Sequence, residues 1–192
     1  MKVNQILVLA PLGWASLAYP AMAAPQASSS PSASWRQTQQ TDSVRGAYTR
    51  FSLAGKFLKS PTGDTLSRPS LVVDCSANNR SHKSKFVRGN LVVGDPLKID
   101  WVEPEEIHGT SYFPKVAVQY RLNDGKVEKE NWTPGADKTS ASFAKDSLGK
   151  MLRAQTVEIT AEDNHGSQVV MQFEMPDATA VEQTCDVDVH KK

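Results

Sequence analysis

Cysteine is scarce in this chain: only Cys75 and Cys185 occur among 192 residues. Two thiols far apart, with scattered histidines, match no metal-ligand spacing, which argues against a structural zinc site. An excess of charge of one sign is lacking too, because 22 Lys and Arg residues balance 21 Asp and Glu residues. A chain so close to neutral has no broad electrostatic footprint for nucleic acid or anionic lipid, so we expect no nucleic-acid partner.

Catalytic motifs are also absent. The chain has no G-x-S-x-G elbow, no P-loop, no G-x-G-x-x-G fingerprint, no calcium-binding loop signature, and no S-x-x-K beside its usual partner motifs. Residues 105–108 (EEIH) carry a carboxylate and an imidazole but lack the second histidine of H-E-x-x-H. The carboxylate pairs Glu105/Glu106 and Glu128/Glu130 are interpreted as solvated loop and strand faces. We therefore expect no catalytic residue, no cofactor and no metal ion.

The first 23 residues predict a secretory signal. Lys2 gives a positive start, residues 6–18 are mostly apolar, and Ala21 and Ala23 form an A-x-A cleavage pattern. The alternative is a transmembrane anchor, but the apolar stretch is shorter than the roughly 20 residues that a spanning helix needs. We expect cleavage near Ala23, a periplasmic or secreted protein, and no stable membrane insertion afterwards. Residues 24–34, rich in Pro, Ser and Ala, are predicted to be a flexible linker.

Residues 35–192 predict a single β-rich domain. Apolar and polar residues alternate through 115–122, 156–163 and 167–175, the period of half-buried strands. Turn signals at Asn123-Asp124-Gly125 and Asn164-His165-Gly166 join such runs into hairpins. Residues 146–154 and 176–185 have helical spacing instead. The fold expected is mainly β, an antiparallel β-sandwich-like domain with two short helices.

Cys75 follows the short apolar run Leu71-Val72-Val73, and four roles are open to it: nucleophile, metal ligand, lipid anchor or half of a disulfide. Asp74 beside it has the wrong sign to lower a thiol pKa, and the residue lies far from the predicted cleavage point. Export would place the chain in an oxidising compartment, where two cysteines usually pair. We predict a Cys75–Cys185 disulfide.

Aromatic residues offer the remaining sequence clue to a binding surface. In residues 95–104, alternation predicts Leu97, Ile99 and Trp101 on one face, and Tyr112 and Phe113 close the loop that follows. A further tryptophan, Trp132, stands at the end of a charged strand, where it acts as a core lid or as an interface anchor. Trp101, Tyr112 and Trp132 are therefore candidate interaction residues.

Several segments in order resemble one family. They are residues 68–75 (RPSLVVDC), 116–132 (VAVQYRLNDGKVEKENW), 142–154 (SFAKDSLGKMLRA) and 172–185 (QFEMPDATAVEQTC). Together they are similar to the periplasmic type VI secretion-associated accessory family and its envelope relatives. Cys75 and Cys185 fall on the family's paired cysteines, and Arg121, Asp124 and Trp132 on its hairpin, so Arg121 joins the candidate interaction residues.

The resemblance implies an exported, non-enzymatic envelope accessory protein whose partner is another envelope protein. One alternative is a small-molecule or glycan-binding β-sandwich with an open apolar pocket near Trp101 or Trp132. A second alternative is a hydrolase in which His108 clusters with Glu105 or Glu106 and a second histidine.

Overall fold

Eleven strands and two short helices make up the part of the chain that the computed structural model describes: residues 33–43, 46–61, 67–76, 86–102 and 112–187. In chain order the elements are β1 (Arg36–Asp42), β2 (Gly46–Ala54), β3 (Lys56–Lys59), β4 (Ser70–Cys75), β5 (Val87–Val92), β6 (Asp100–Val102), β7 (Phe113–Leu122), β8 (Val127–Pro134), β9 (Ser140–Phe143), α1 (Lys145–Leu152), β10 (Thr156–Glu162), β11 (Gln168–Glu174) and α2 (Thr179–Cys185). The predicted signal segment, most of the predicted linker, and His82, His108 and His190 lie outside the described residues.

The strands form one antiparallel sheet curled into a half-barrel, in the order β1-β2-β4-β5-β9-β8-β7-β10-β11-β3, with β6 paired to β7. The mainly β class with two short helices is confirmed, but the sandwich-like arrangement is replaced by a single continuous sheet. Strand β8 explains the continuity. It pairs with β7 from Val127 to Trp132 and then with β9 through Thr133 and Pro134, so one strand belongs to both halves.

Both predicted hairpin turns are confirmed. β7 returns as β8 around Asp124-Gly125, and β10 returns as β11 with Glu162 opposite Gln168. Asn123 has the left-handed φ of 51°, and its Oδ1 accepts the backbone N–H groups of Gln155 and Thr156. An asparagine suits this position because it tolerates positive φ and its side chain bonds to nearby backbone.

The core lies on the inner face of the curled sheet. As the period-two pattern predicts, one face of β2, β7, β10 and β11 is buried, and Leu71, Val72 and Val73 are all covered. The inward residues that anchor this core are Phe51, Leu53, Leu91, Val116, Val118, Tyr120, Trp132, Val157, Ile159, Val169, Met171 and Phe173. Burial of such side chains contributes roughly 1.5–3 kcal/mol each and holds the sheet in its curled form.

The helices are shorter than the sequence predicts. α2 begins only at Thr179 because the carboxylate of Asp177 accepts the Thr179 backbone N–H, forming a turn before the helix. It ends at Cys185, since Asp186 has a left-handed φ of 53°. None of the helices in the described ranges has the length and apolar character needed to cross a bilayer.

Cys75 and Cys185 form the predicted disulfide. Cys75 ends β4 and is fully buried, Cys185 ends α2, and their Cα atoms lie 5.3 Å apart. The bond fastens the last described helix to the middle of the sheet. Because such bonds persist in oxidising compartments, it indicates an extracytoplasmic environment.

Candidate functional site

Strand β6 and the start of β7 form a two-stranded extension of the sheet, which we call the aromatic ribbon. Trp101 pairs with Pro114 and Val102 with Phe113. Residues paired across strands share a face, and successive residues alternate between faces. Trp101 therefore lies on one face of the ribbon and Phe113 on the other, while Tyr112 directly precedes Phe113.

Exposed apolar side chains concentrate on the aromatic ribbon. Trp101, Tyr112 and Phe113 are 65%, 54% and 50% exposed, and among the described residues the other large hydrophobic side chains left exposed are Leu58 and Val127. The predicted shared face of Leu97 and Trp101 is wrong, because Leu97 is buried where it bridges to Asp163 and the strand begins only at Asp100. Clustered exposed aromatic residues are typical of interaction surfaces.

A groove of about 390 Å³ lies beside the ribbon, on the sheet face opposite the core. Across three neighbouring strands, Lys129 stands opposite Gln119 and Gln119 opposite Thr160. The next row places Asn131 opposite Ala117. Alternation directs these side chains away from the core, so they form a polar surface over the central strands.

The groove lies where the strand that pairs with one edge of β7 changes from β10 to β6. Pairing with β10 ends at Gln119, and pairing with β6 begins at Lys115. Lys98 lines the groove beside this part of β7, and its backbone N–H donates to the carbonyl of Glu162. The Lys98 ammonium also lies 2.7 Å from the Glu162 carboxylate, and that hydrogen bond raises the pKa of Lys98. On this side of the groove, the charges of Lys98 and Glu162 therefore neutralise each other.

The candidate residue Arg121 lies at the far end of β7 from the ribbon. Its guanidinium donates to Glu158 on β10 at 2.8 Å. Phe113 and Arg121 stand eight positions apart on one strand, roughly 27 Å at about 3.4 Å per residue. Trp101 and Tyr112 both lie at the ribbon, whereas Arg121 is not part of that surface.

Trp132 is a core residue and not a surface residue. It is 1% exposed, its ring lies 4.7 Å from that of Phe143, and its Nε1–H donates to Glu130 at 2.8 Å. Its position opposite Val116 on β7 turns it inward. The candidate surface role for Trp132 is therefore replaced by the core-lid role, because the alternation of β8 places it on the apolar face of the sheet.

The expected solvated carboxylates Glu128 and Glu130 instead form a partly buried network with α1. The Tyr120 hydroxyl lies 2.8 Å from Glu128 and 2.7 Å from Glu130. Lys150 donates to Glu128 at 2.6 Å, and Ser147 donates to Glu130 at 2.8 Å. These contacts fasten the helix to β7 and β8.

The network shifts the titration of its members. Burial tends to raise the pKa of Glu130, but hydrogen bonds from Trp132, Tyr120 and Ser147 outweigh it and lower that pKa. The hydrogen bond from Lys150 lowers the pKa of Glu128. Burial, followed by hydrogen bonding to the two carboxylates, raises the pKa of Tyr120 well above its usual value. Both carboxylates are therefore held in the charged form and the phenol in the neutral form.

Ser147 and Lys150 have the S-x-x-K spacing and lie one helical turn apart on α1. Their contacts with Glu130 and Glu128 on β8 were not predicted from the sequence. The signal was present, because Glu128, Glu130 and Trp132 share one face of a strand by alternation. Ser147 is 3% exposed and its hydroxyl is bonded to a carboxylate, which positions the helix. Within the described ranges, no group of three His, Cys, Asp or Glu side chains could hold a metal ion.

No model of a known family matches the chain, and neither a curated protein nor a solved structure matches it significantly. The hydrolase alternative centred on His108, Glu105 and Glu106 falls outside the described residues. The aromatic ribbon, the groove and the disulfide are therefore the features from which the function is inferred.

Proposed function

We propose that this protein is an exported, non-enzymatic accessory protein of the cell envelope that binds another envelope protein through the aromatic ribbon. The disulfide supports an extracytoplasmic site of action, since Cys75 and Cys185 would stay reduced in a cytosol. The predicted signal in residues 1–23 supports a periplasmic or secreted location. The segments that resemble the type VI secretion-associated family support a role beside a secretion apparatus.

The exposure of Trp101 carries this proposal. Trp101 is 65% exposed on a paired strand, so its backbone is already ordered and a partner need order only its side chain. Tyr112 and Phe113 add two exposed aromatic side chains to the ribbon, with Phe113 on the face opposite Trp101. Tryptophan and tyrosine are enriched among the residues that dominate binding energy at protein interfaces.

Cross-linking followed by pull-down from the periplasm tests the proposal with three forms of the chain. Wild type is compared with Trp101→Ala and with Val127→Ala, which removes an exposed hydrophobic side chain at the far end of β8. We expect wild type and Val127→Ala to capture the same protein and Trp101→Ala to lose it. Equal capture by all three forms would contradict binding through the ribbon.

A small-molecule or glycan-binding role is the second candidate function, favoured by the groove on the outer face of β7, β8 and β10. The pocket anticipated near Trp132 is filled by packed core, but the groove lies beside the ribbon that carries Trp101. Retention of a ligand without any protein partner in the pull-down would favour this role.

A further inference from the structure

Three amide side chains line the groove. Gln119, Asn131 and Gln168 line it from β7, β8 and β11, and their amide groups make no hydrogen bond to any other described side chain. Each amide supplies both a carbonyl acceptor and an NH₂ donor. Thr160, opposite Gln119, adds a hydroxyl with the same dual character. The groove therefore offers donors and acceptors in similar number.

Charges at the groove cancel. Lys98 is paired with Glu162 at 2.7 Å, while Lys129 and Asp100 have opposite signs. The carboxylate of Glu130, whose strand also lines the groove, is engaged on the inner face by Trp132, Tyr120 and Ser147. An anionic or cationic ligand would gain no net attraction here. An apolar ligand would cover the amides without giving them partners, which is unfavourable.

We propose that the groove binds a neutral carbohydrate of one or two sugar rings, an inference that rests on the second candidate function. Every sugar hydroxyl both donates and accepts a hydrogen bond, which matches the amides of Gln119, Asn131 and Gln168. The volume of about 390 Å³ lies at the lower end of the range for small-molecule sites, roughly 300–1,000 Å³. The small side chain of Ala117, opposite Asn131, leaves room for a ring to approach the sheet.

A chemical-shift titration of the full, disulfide-bonded protein tests this site. The probes are N-acetylglucosamine, diacetylchitobiose and maltose, with glucose 6-phosphate as the anionic comparison, each up to about 50 mM so that a millimolar Kd is detected. We expect at least one neutral sugar to give saturable shifts at backbone amides of residues 117–119, 129–131 and 160–162. Glucose 6-phosphate should bind more weakly than that sugar.

Matched variants separate the groove from the ribbon. Gln119→Ala and Asn131→Ala each remove one hydrogen-bonding partner and should weaken binding about tenfold. Arg121→Ala alters the same face of β7 two positions beyond Gln119, and Trp101→Ala alters the ribbon, so both should bind like wild type. The proposal is overturned by three results: no saturable shift with any neutral sugar, tighter binding of glucose 6-phosphate, or unchanged binding in Gln119→Ala and Asn131→Ala. The Trp101→Ala result in the pull-down is independent of all three.

Discussion

The hydroxyl oxygen of Ser147 lies 2.8 Å from each carboxylate oxygen of Glu130, joining α1 to β8 across the edge of the core. This contact anchors a helix that has no side-chain cap hydrogen bond at its N-terminus. The N-cap residue of α1, Ala144, has no side chain able to accept the unpaired backbone N–H groups. Helix α1 has only eight residues, too few to be stable alone, so its attachment to the sheet determines whether it forms.

Removal of the Ser147 hydroxyl should loosen this attachment. Ser147→Ala takes one donor from a partly buried carboxylate, and we expect a loss of about 1–3 kcal/mol in the free energy of unfolding. Urea denaturation followed by far-ultraviolet circular dichroism measures it. Ser52→Ala is the matched control, because its exposed hydroxyl makes only a 3.5 Å contact, and it should stay within about 0.5 kcal/mol of wild type. Equal stability of both variants would show that the contact does not hold α1.

Acid should weaken the fold through Glu130. Its pKa is lower in the folded protein than the ordinary 4.5, so the unfolded chain binds its proton more readily. The stability due to this group is therefore complete above about pH 4.5 and is lost as pH falls through the folded pKa. Glu130→Gln should be less stable than wild type near neutral pH but lose less stability on acidification. Urea denaturation at a series of pH values measures both, and parallel curves would contradict the assignment.

The disulfide should supply a large part of the stability. Cys75 and Cys185 are 110 positions apart, and closing a loop of that size stabilises a fold by about 4–5 kcal/mol in the chain-entropy model. The double variant Cys75→Ser/Cys185→Ser and the reduced wild type should both lose most of this amount in urea denaturation. Mass spectrometry of the non-reduced protein provides the direct check, since the bond removes two hydrogen atoms. Two free thiols in that sample would contradict the pairing.

A glycine should be required at position 89. Gly89 pairs with Phe143 on β9, and a Cβ atom added there would overlap the Phe143 ring. Gly89→Ala should therefore lower the free energy of unfolding by about 1–3 kcal/mol. Gly149→Ala is the comparison, because a Cβ added there meets no described atom within 4 Å beyond its chain neighbours and its own helix backbone, and it should raise stability by about 0.5–1 kcal/mol. Thermal unfolding of both variants tests the contrast, and destabilisation by Gly149→Ala would contradict it.

Local signals predicted much of this fold. The Asp124-Gly125 turn and the alternation around it located the β7–β8 hairpin, because register and facing follow from period two. The disulfide followed from thiol number and compartment. The continuous curled sheet was not predictable in this way, since it depends on pairings between strands distant in sequence, such as β5 with β9 and β7 with β10. No local pattern specifies which strand lies beside another when the two do not follow each other directly through a tight turn.

The candidate site was likewise predictable in part from local sequence and in part only from the folded chain. Trp101 and Tyr112 are only eleven positions apart, so sequence alone could group them, and the pairing of β6 with the start of β7 places both at the ribbon. Glu130 was assigned to a solvated face because its neighbours are charged, yet its partners Ser147 and Trp132 draw it inward. The groove combines β7, β8 and β10, strands whose lateral order only the folded chain defines.

Trp101 and Trp132, two of the four tryptophans in the chain, should respond differently to substitution. Trp132 is buried against Phe143 and donates to Glu130, so Trp132→Ala should cost about 3–5 kcal/mol in the free energy of unfolding and could prevent folding. Trp132→Phe keeps most of the ring but removes the donor, and we expect about 1–3 kcal/mol. Trp101→Ala should change stability by less than about 0.5 kcal/mol, because its side chain is mostly in solvent. Urea denaturation measures all three.

Fluorescence distinguishes the same two residues without relying on stability. Trp101 should be quenched readily by acrylamide, whereas Trp132, at 1% exposure, should be protected. The accessible fraction of the quenching curve should therefore fall in Trp101→Phe and rise in Trp132→Phe. If Trp101→Phe left the accessible fraction unchanged, the indole would already be covered in solution. The aromatic ribbon would then not be available to a partner.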